Sequence, residues 1–145
     1  MFRGRSIHIL DSKGRVAIPA RFKEVLSSRG EDSMVITNQG SALWAFCRAD
    51  WAILEEKAAK LSQFNKSGMV FLRYFISGAE ECNLKNNRIT IPKKLRDDAG
   101  LKKEVILVGE LKRFEIWDKD KWDEEFERVK AGFAEAAESL PELSI

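Results

Sequence analysis

The chain has 145 residues, 44% hydrophobic and 33% charged, with nine glycines and only three prolines. That composition is ordinary for a soluble protein and sets the size at one domain or two small intertwined ones. No apolar run approaches the roughly 20 residues that span a bilayer. Met1-Phe2-Arg3-Gly4-Arg5 lacks a signal peptide's apolar core, so a cytoplasmic protein without membrane contact is expected.

Ser6 to Asp11 alternates as a strand, with His8 as a polar face residue. The stretch Asp11-Ser12-Lys13-Gly14-Arg15 then carries turn chemistry. Asp suits the first turn position, and Gly the place that needs a positive φ. Arg15 to Ile18 alternates again and reads as the hairpin partner of the first strand. Pro19 is pre-set for a first helical turn. It opens a predicted helix to Ser28 with Phe22, Val25 and Leu26 inward, closed by Gly30. Ser33–Thr37 and Ala42–Cys47 are predicted strands. Asp50 is placed to N-cap a helix running to about Leu61, with Trp51, Leu54, Ala58 and Leu61 on one face. Gln63 to Gly68 breaks it. Met69 to Ile76, charged only at Arg73, reads as a buried helix ending before Gly78.

The pattern then repeats. Arg88-Ile89-Thr90-Ile91-Pro92-Lys93-Lys94-Leu95 matches Arg15 to Phe22 at an offset of 73 residues. Asn87 stands where Gly14 does, and Asn best tolerates left-handed geometry among the other residues. The echo continues through Val35-Ile36 against Val105-Ile106, Leu43-Trp44-Ala45-Phe46 against Phe114-Glu115-Ile116-Trp117, and Trp51 against Trp122. Two copies mean a duplicated unit, not a solenoid. Each half is too small to bury a core easily alone, so a shared core is expected. The second unit is predicted as a strand at Glu80–Leu84, a Lys85-Asn86-Asn87 turn, a strand at Arg88–Ile91, a helix at Pro92–Ala99, and strands at Glu104–Val108 and Phe114–Trp117. A last helix starts near Asp118. Its Trp122, Phe126, Val129, Phe133, Ala136 and Leu140 form a heptad-like seam, for packing on the protein's own sheet or on a neighbouring subunit.

The formal net charge of +2 hides an asymmetry. Residues 1–30 and residues 83–103 each carry seven Lys/Arg against two acidic residues, +5 apiece, which leaves −8 elsewhere. Basic charge concentrated on the two repeated units suggests a polyanion partner. Lys13 and Arg15 sit at the first turn, with Arg21 and Lys23 on the helix after it. Lys/Arg can position a protein on phosphate, and an Arg can read a guanine edge. A two-stranded ribbon fits the major groove of double-stranded DNA. Aromatics do not interleave with these basic residues, which argues against a base-stacking platform. Arg15 alone is equally compatible with a surface ion pair to Asp11. Arg88, with no Asp four residues before it, weakens that alternative.

Little else suggests chemistry. The single His8, with Cys47 and Cys82 in no ligand spacing, gives no expectation of a zinc, haem or other cofactor site. No phosphate loop or nucleophile–base arrangement is present in the sequence, so the chain is not expected to be an enzyme.

Several stretches resemble one family. Met-Phe-Arg-Gly at the start, Leu-Asp-Ser-Lys-Gly-Arg-Val-Ala-Ile-Pro-Ala-Arg (10–21), Ser-Gly-Ala-Glu-Glu-Cys (77–82), Leu-Lys-Lys-Glu-Val-Ile-Leu-Val-Gly (101–109) and Phe-Glu-Ile-Trp-Asp (114–118) are similar to MraZ proteins. These are bacterial transcriptional regulators of the division and cell-wall gene cluster. The resemblance runs from residue 1 to about 125. It implies an α+β fold of two tandem AbrB-like (SpoVT-AbrB, swapped-hairpin) β-barrel units, with short helices and a C-terminal helix. The implied boundaries are 5–50 and 77–120 for the units, 51–76 for linking helices and 121–145 for the C-terminal helix and tail. It further implies a homo-oligomeric ring, nucleoid-associated, on repeated promoter boxes. The family's Asp-x-x-x-Arg motif falls on Asp11 and Arg15, with Lys13 beside them, and Arg21 and Arg88 complete the expected DNA-binding set. In the second copy Leu84 and Asn87 replace the usual Asp and Gly, so Arg88 either still contacts DNA or belongs to a structural half. An AbrB-like antitoxin and an oligomeric scaffold without DNA are the alternatives.

Overall fold

The computed structural model describes residues 1–145. Eight antiparallel strands form one nearly closed barrel, and five α-helices decorate it. The strands are β1 (Arg5–Ile9), β2 (Arg15–Ala17), β3 (Ser33–Gln39), β4 (Ala42–Cys47), β5 (Glu80–Lys85), β6 (Arg88–Thr90), β7 (Glu104–Glu110) and β8 (Arg113–Asp118). The helices are α1 (Ala20–Ser28), α2 (Arg48–Ala58), α3 (Lys66–Phe71), α4 (Lys93–Ala99) and α5 (Lys119–Glu138). A π-helical turn, Leu72–Ile76, follows α3 directly.

The strand order β1-β7-β8-β4-β3-β5-β6-β2 interleaves the halves. Exchanging each strand for its repeat counterpart reproduces the same cyclic order, so the barrel has an internal pseudo-two-fold axis. The axis passes through the β2–β6 ladder, where Val16 lies opposite its own counterpart Ile89. Each half locks the other: Ile18 donates its N–H to Asn87 O (2.9 Å), and Ile91 donates to Gly14 O (2.8 Å).

This topology overturns the local hairpin reading. β1 does not ladder with β2. It pairs along its whole length with β7, from Arg5↔Val108 to Ile9↔Glu104. Two backbone hydrogen bonds close the first turn, Asp11 N–H to Arg15 O (3.1 Å) and Gly14 N–H to Asp11 O (3.0 Å). The second turn does close a hairpin, with Lys85 opposite Arg88. Asn86 and Asn87 (φ 53° and 62°) give its two central residues the left-handed geometry of a type I′ turn.

The repeat alignment also shifts by one residue in the third strands. Met34 and Ile36 share the barrel interior with Val105 and Leu107, while Val35 and Ile106 face outward. The offset is therefore 71 here, since a one-residue slip would exchange the two faces. In β1 the outward residues are Ile7 and Ile9, both exposed, whereas His8 is half-buried. Inside, nineteen buried residues from both halves form a single core. Phe2, Phe22 and Phe114 meet at its centre, with ring centroids 4.9–5.2 Å apart.

Three helix readings change. Pro19 and Pro92 are N-caps, preceding helices that start at Ala20 and Lys93. Asp50 lies inside α2, which begins at Arg48, and pairs with Arg29 (2.8 Å) instead of capping. The Met69–Ile76 stretch is not buried all round. Only Phe75 is enclosed there, against Trp51, Trp44 and Phe46, while Val70 and Tyr74 are exposed. α5 buries no residue fully. Trp122 packs on Trp117, Phe126 lies under the Arg5 guanidinium (4.6 Å), and the seam beyond is bare.

Candidate nucleic-acid interface

The pseudo-axis brings the two basic turns side by side. On the β2–β6 ribbon, Val16 and Ile89 are fully buried, so the alternating residues Arg15, Ala17, Arg88 and Thr90 face out. Arg15 lies opposite Thr90 and Arg88 opposite Ala17. Each arginine thus has a small neighbour across the ladder, which leaves its guanidinium room to reach outward.

Asp11 organises this surface. Its Oδ1 accepts the backbone N–H groups of Lys13 (3.0 Å) and Arg15 (2.8 Å), which fixes the turn. Its Oδ2 accepts Arg15 Nε at 2.7 Å, which leaves the terminal guanidinium nitrogens outside that bond. The same Oδ2 lies 3.9 Å from Arg88 Nη1. The Arg15 backbone N–H holds the Asp11 carboxyl below its usual range. Burial opposes this, by less than the Arg15 N–H lowers it, and the Arg15 side chain and the Lys13 N–H add to the lowering. The carboxylate therefore stays ionised at neutral pH.

The ion-pair alternative for Arg15 and the exposed-contact alternative hold together, since the pair uses only Nε. The second turn is one residue shorter than the first, so Lys85, not Leu84, occupies the place across from Arg88 that Asp11 holds across from Arg15. A cation there cannot pair with Arg88. The missing carboxylate comes instead from Asp11, across the pseudo-axis.

Around these residues lies a hollow of about 300 Å³ lined by Arg15, Lys85, Asn86, Arg88 and Thr90, with no apolar side chain. Lys13 is exposed at the tip of the first turn. Arg21 is not part of the cluster. Its Nη2 donates to Arg5 O (3.2 Å) and its guanidinium covers Gly4, at the far end of β1. From Arg5 to Asp11 is about 20 Å of extended chain. Lys85, Asn86 and Thr90 were not singled out from the sequence. Their signal was the Asn-Asn turn itself, which sets Lys85 directly opposite Arg88. Gly14 (φ 82°) sits under the ribbon, where a Cβ would come within 2.8 Å of Ile91 O.

The cluster thus displays four cations and one carboxylate on a face whose one apolar side chain is Ala17, with one arginine from each half. A family model described as "MraZ protein, putative antitoxin-like" matches residues 1–74 and again residues 75–142. The chain belongs to the MraZ family. It is 45% identical to the Transcriptional regulator MraZ of Syntrophobacter fumaroxidans over 140 residues, 96% of this chain and 93% of the relative. Proteins of the same name from Natranaerobius thermophilus and Alkaliphilus metalliredigens are 37% and 39% identical over the full length of both chains. Both halves of the barrel therefore carry the family's repeat, including the half whose turn bears Lys85.

Proposed function

We propose that this chain is a transcriptional regulator that binds double-stranded DNA through the β2–β6 ribbon and its two turns. The observation that carries this is the convergence of Arg15 and Arg88 on Asp11, on the outer face of a two-stranded ribbon. A ribbon of this width enters the major groove. The pseudo-axis through Val16 and Ile89 lets one arginine address each strand of a duplex, whose own local symmetry is two-fold. Asp11 fixes the Arg15 stem so that its free nitrogens can meet a guanine edge, while Lys13, Lys85 and Arg88 meet phosphate. The relatives' name, Transcriptional regulator MraZ, supports the regulatory role.

One ribbon makes a small contact. Several copies in a homo-oligomeric ring would engage spaced promoter boxes through effective concentration, so that weak contacts sum to tight binding. In this reading the protein works in the cytoplasm, associated with the nucleoid.

The test is binding to the DNA upstream of the protein's own gene, against a scrambled duplex of equal length. Preference for the upstream sequence, with affinity falling steeply as salt rises, supports the reading. Equal affinity for both duplexes would reduce the role to phosphate binding. Absence of binding at low salt would remove it.

A further inference from the structure

We propose that the loop entering β7 is a further DNA-contacting segment, whose Lys102 and Lys103 hold the phosphate backbone beside the first turn. Its counterpart in the other half, Glu31-Asp32, repels that backbone beside the second turn. This rests on the reading of the β2–β6 ribbon as the DNA-facing surface, and it makes that surface one-sided.

The pseudo-axis fixes which residues to compare. Past the end of β1, Leu10 donates its N–H to Lys103 O (2.8 Å), so Lys103 abuts the base of the first turn. At the end of β5, Leu84 donates to Asp32 O (2.8 Å), the same bond in the other half. Lys103 and Asp32 thus hold equivalent backbone places and opposite charges. The preceding residues follow suit, Lys102 before one and Glu31 before the other. Because β2 and β6 are antiparallel, the two turns and the loops beside them lie at opposite ends of the ribbon.

Lys102 and Lys103 are exposed, and neither side chain enters an ion pair. The Lys102 backbone is what the fold uses. Its N–H is held by Asp118 Oδ1 (3.1 Å), while Asp118 Oδ2 takes the Lys121 N–H. A hollow of about 390 Å³ beside the two lysines is also lined by Glu104, Lys119 and Asp120. Lys119 is tied to Asp123 (2.6 Å). Glu104 opens β7 opposite Ile9, one step farther from the turn than Lys103. With Lys13 at the tip, this end of the ribbon presents three lysines outside any ion pair.

The other end is different. Its tip is Asn86-Asn87, without charge, and behind Lys85 stand Glu31, Asp32 and Glu81. All three share Arg48, at 3.0, 3.4 and 4.0 Å. One guanidinium against three carboxylates leaves that flank net negative, with the Asp32 side chain 87% exposed.

A duplex whose groove receives the ribbon carries its phosphates past both flanks. Attraction at one end and repulsion at the other shift the bound stretch toward the Arg15 end. Phosphate contacts carry no base information, so the lysine flank adds affinity and register, not sequence preference.

The test is fluorescence anisotropy of full-length variants on the upstream and scrambled duplexes across a salt series. Lys102→Ala/Lys103→Ala keeps both backbone hydrogen bonds. Lys93→Ala/Lys94→Ala removes the same charge at the far end of β5, beside Glu80, and is the control. Asp32→Lys gives the second flank its counterpart's charge. The Lys102/Lys103 variant is expected to bind both duplexes more weakly by a similar factor, with a salt slope shallower by about 2 per bound ribbon. The control is expected to match wild type, and Asp32→Lys to bind both duplexes more tightly with a steeper slope. A Lys102/Lys103 variant indistinguishable from the control would overturn the lysine flank and leave the ribbon reading intact. Loss of the upstream duplex alone, with scrambled binding unchanged, would overturn the phosphate role. An Asp32→Lys protein that binds no tighter than wild type would overturn the one-sidedness. A wild type without affinity for either duplex would overturn the ribbon reading and this inference with it.

Discussion

The interlocked barrel makes an unusual demand on two equivalent isoleucines. Ile18 and Ile91 occupy corresponding places in the halves, 5% and 0% exposed, and each is tied by its N–H to the other half's turn. Replacing either with Ala removes three heavy atoms from the shared core. At such sites the loss is about 2–5 kcal/mol, transfer and cavity together. For a chain of this size that lowers Tm by roughly 6–20 °C. If the halves were separate domains, Ile18→Ala would move only an N-terminal transition and Ile91→Ala only a C-terminal one. The barrel predicts one transition in the wild type, moved as a whole by either substitution. Calorimetry decides this, with circular dichroism and tryptophan fluorescence as coincident probes. Two separable transitions, each sensitive to one substitution, would refute the shared core.

Further outcomes follow from individual sites. Asp11→Ala adds one unit to the positive charge of the ribbon yet is expected to weaken sequence-specific DNA binding, because the turn and the Arg15 stem lose their acceptor; electrophoretic titration that shows tighter specific binding would contradict this. Since Arg15 and Lys13 hold the Asp11 carboxyl below its usual range, turn order should persist through mild acid and disappear only as pH falls through that lowered value, which the Gly14 and Arg15 amide resonances can follow. Glu110, pushed up to about 7 by burial and by Glu115 beside it, holds a proton in the folded chain that the unfolded chain releases near 4.5. Stability should therefore decline as pH rises from about 4.5 to 7, and Glu110→Gln should flatten that slope in denaturant titrations. Gly14→Ala puts a side chain at φ 82° and within 2.8 Å of Ile91 O; a loss of at least about 1–2 kcal/mol is expected, and an unchanged midpoint would contradict the geometry.

Much of the fold was legible because the repeat was. Val16-Ala17-Ile18-Pro19 against Ile89-Thr90-Ile91-Pro92 located the two strands of the ribbon, though not their pairing with each other, and both helices that follow them. Strand and helix bounds came within a few residues, since alternation and the capping region are local signals. Partner choice is not local. The alternation of Ser6 to Asp11 says that a strand forms, but only β7, a hundred residues on, determines what it pairs with. For the same reason Ile7 and Ile9 face out, beside Ile106, although a polar His8 suggested the opposite. Asp50 resembled a cap until Arg29, on another element, claimed its carboxylate. The apolar run at 69–76 hid both a change of helical pitch at Leu72 and an exposed face that carries Val70 and Tyr74.

The candidate site was legible in part. Asp11, Lys13 and Arg15 stand together in sequence and in space. Arg88 looked stranded without an acidic partner, because the partner lies across the pseudo-axis. Arg21, close to Arg15 in sequence, turns to the other end of β1. Lys85 was read as a turn residue and not as part of the site, because the shorter second turn moves it, and not Leu84, into register with Arg88.

The most direct measurement compares wild type and Arg15→Ala on the upstream DNA across a salt series, with sedimentation confirming equal assembly. Loss of one bidentate base contact should cost about 1–3 kcal/mol per ribbon, multiplied over the copies bound. Specific binding should therefore vanish in the variant, while its weak affinity for scrambled DNA remains. An Arg15→Ala protein that binds the upstream DNA as tightly as wild type at every salt concentration would contradict the account.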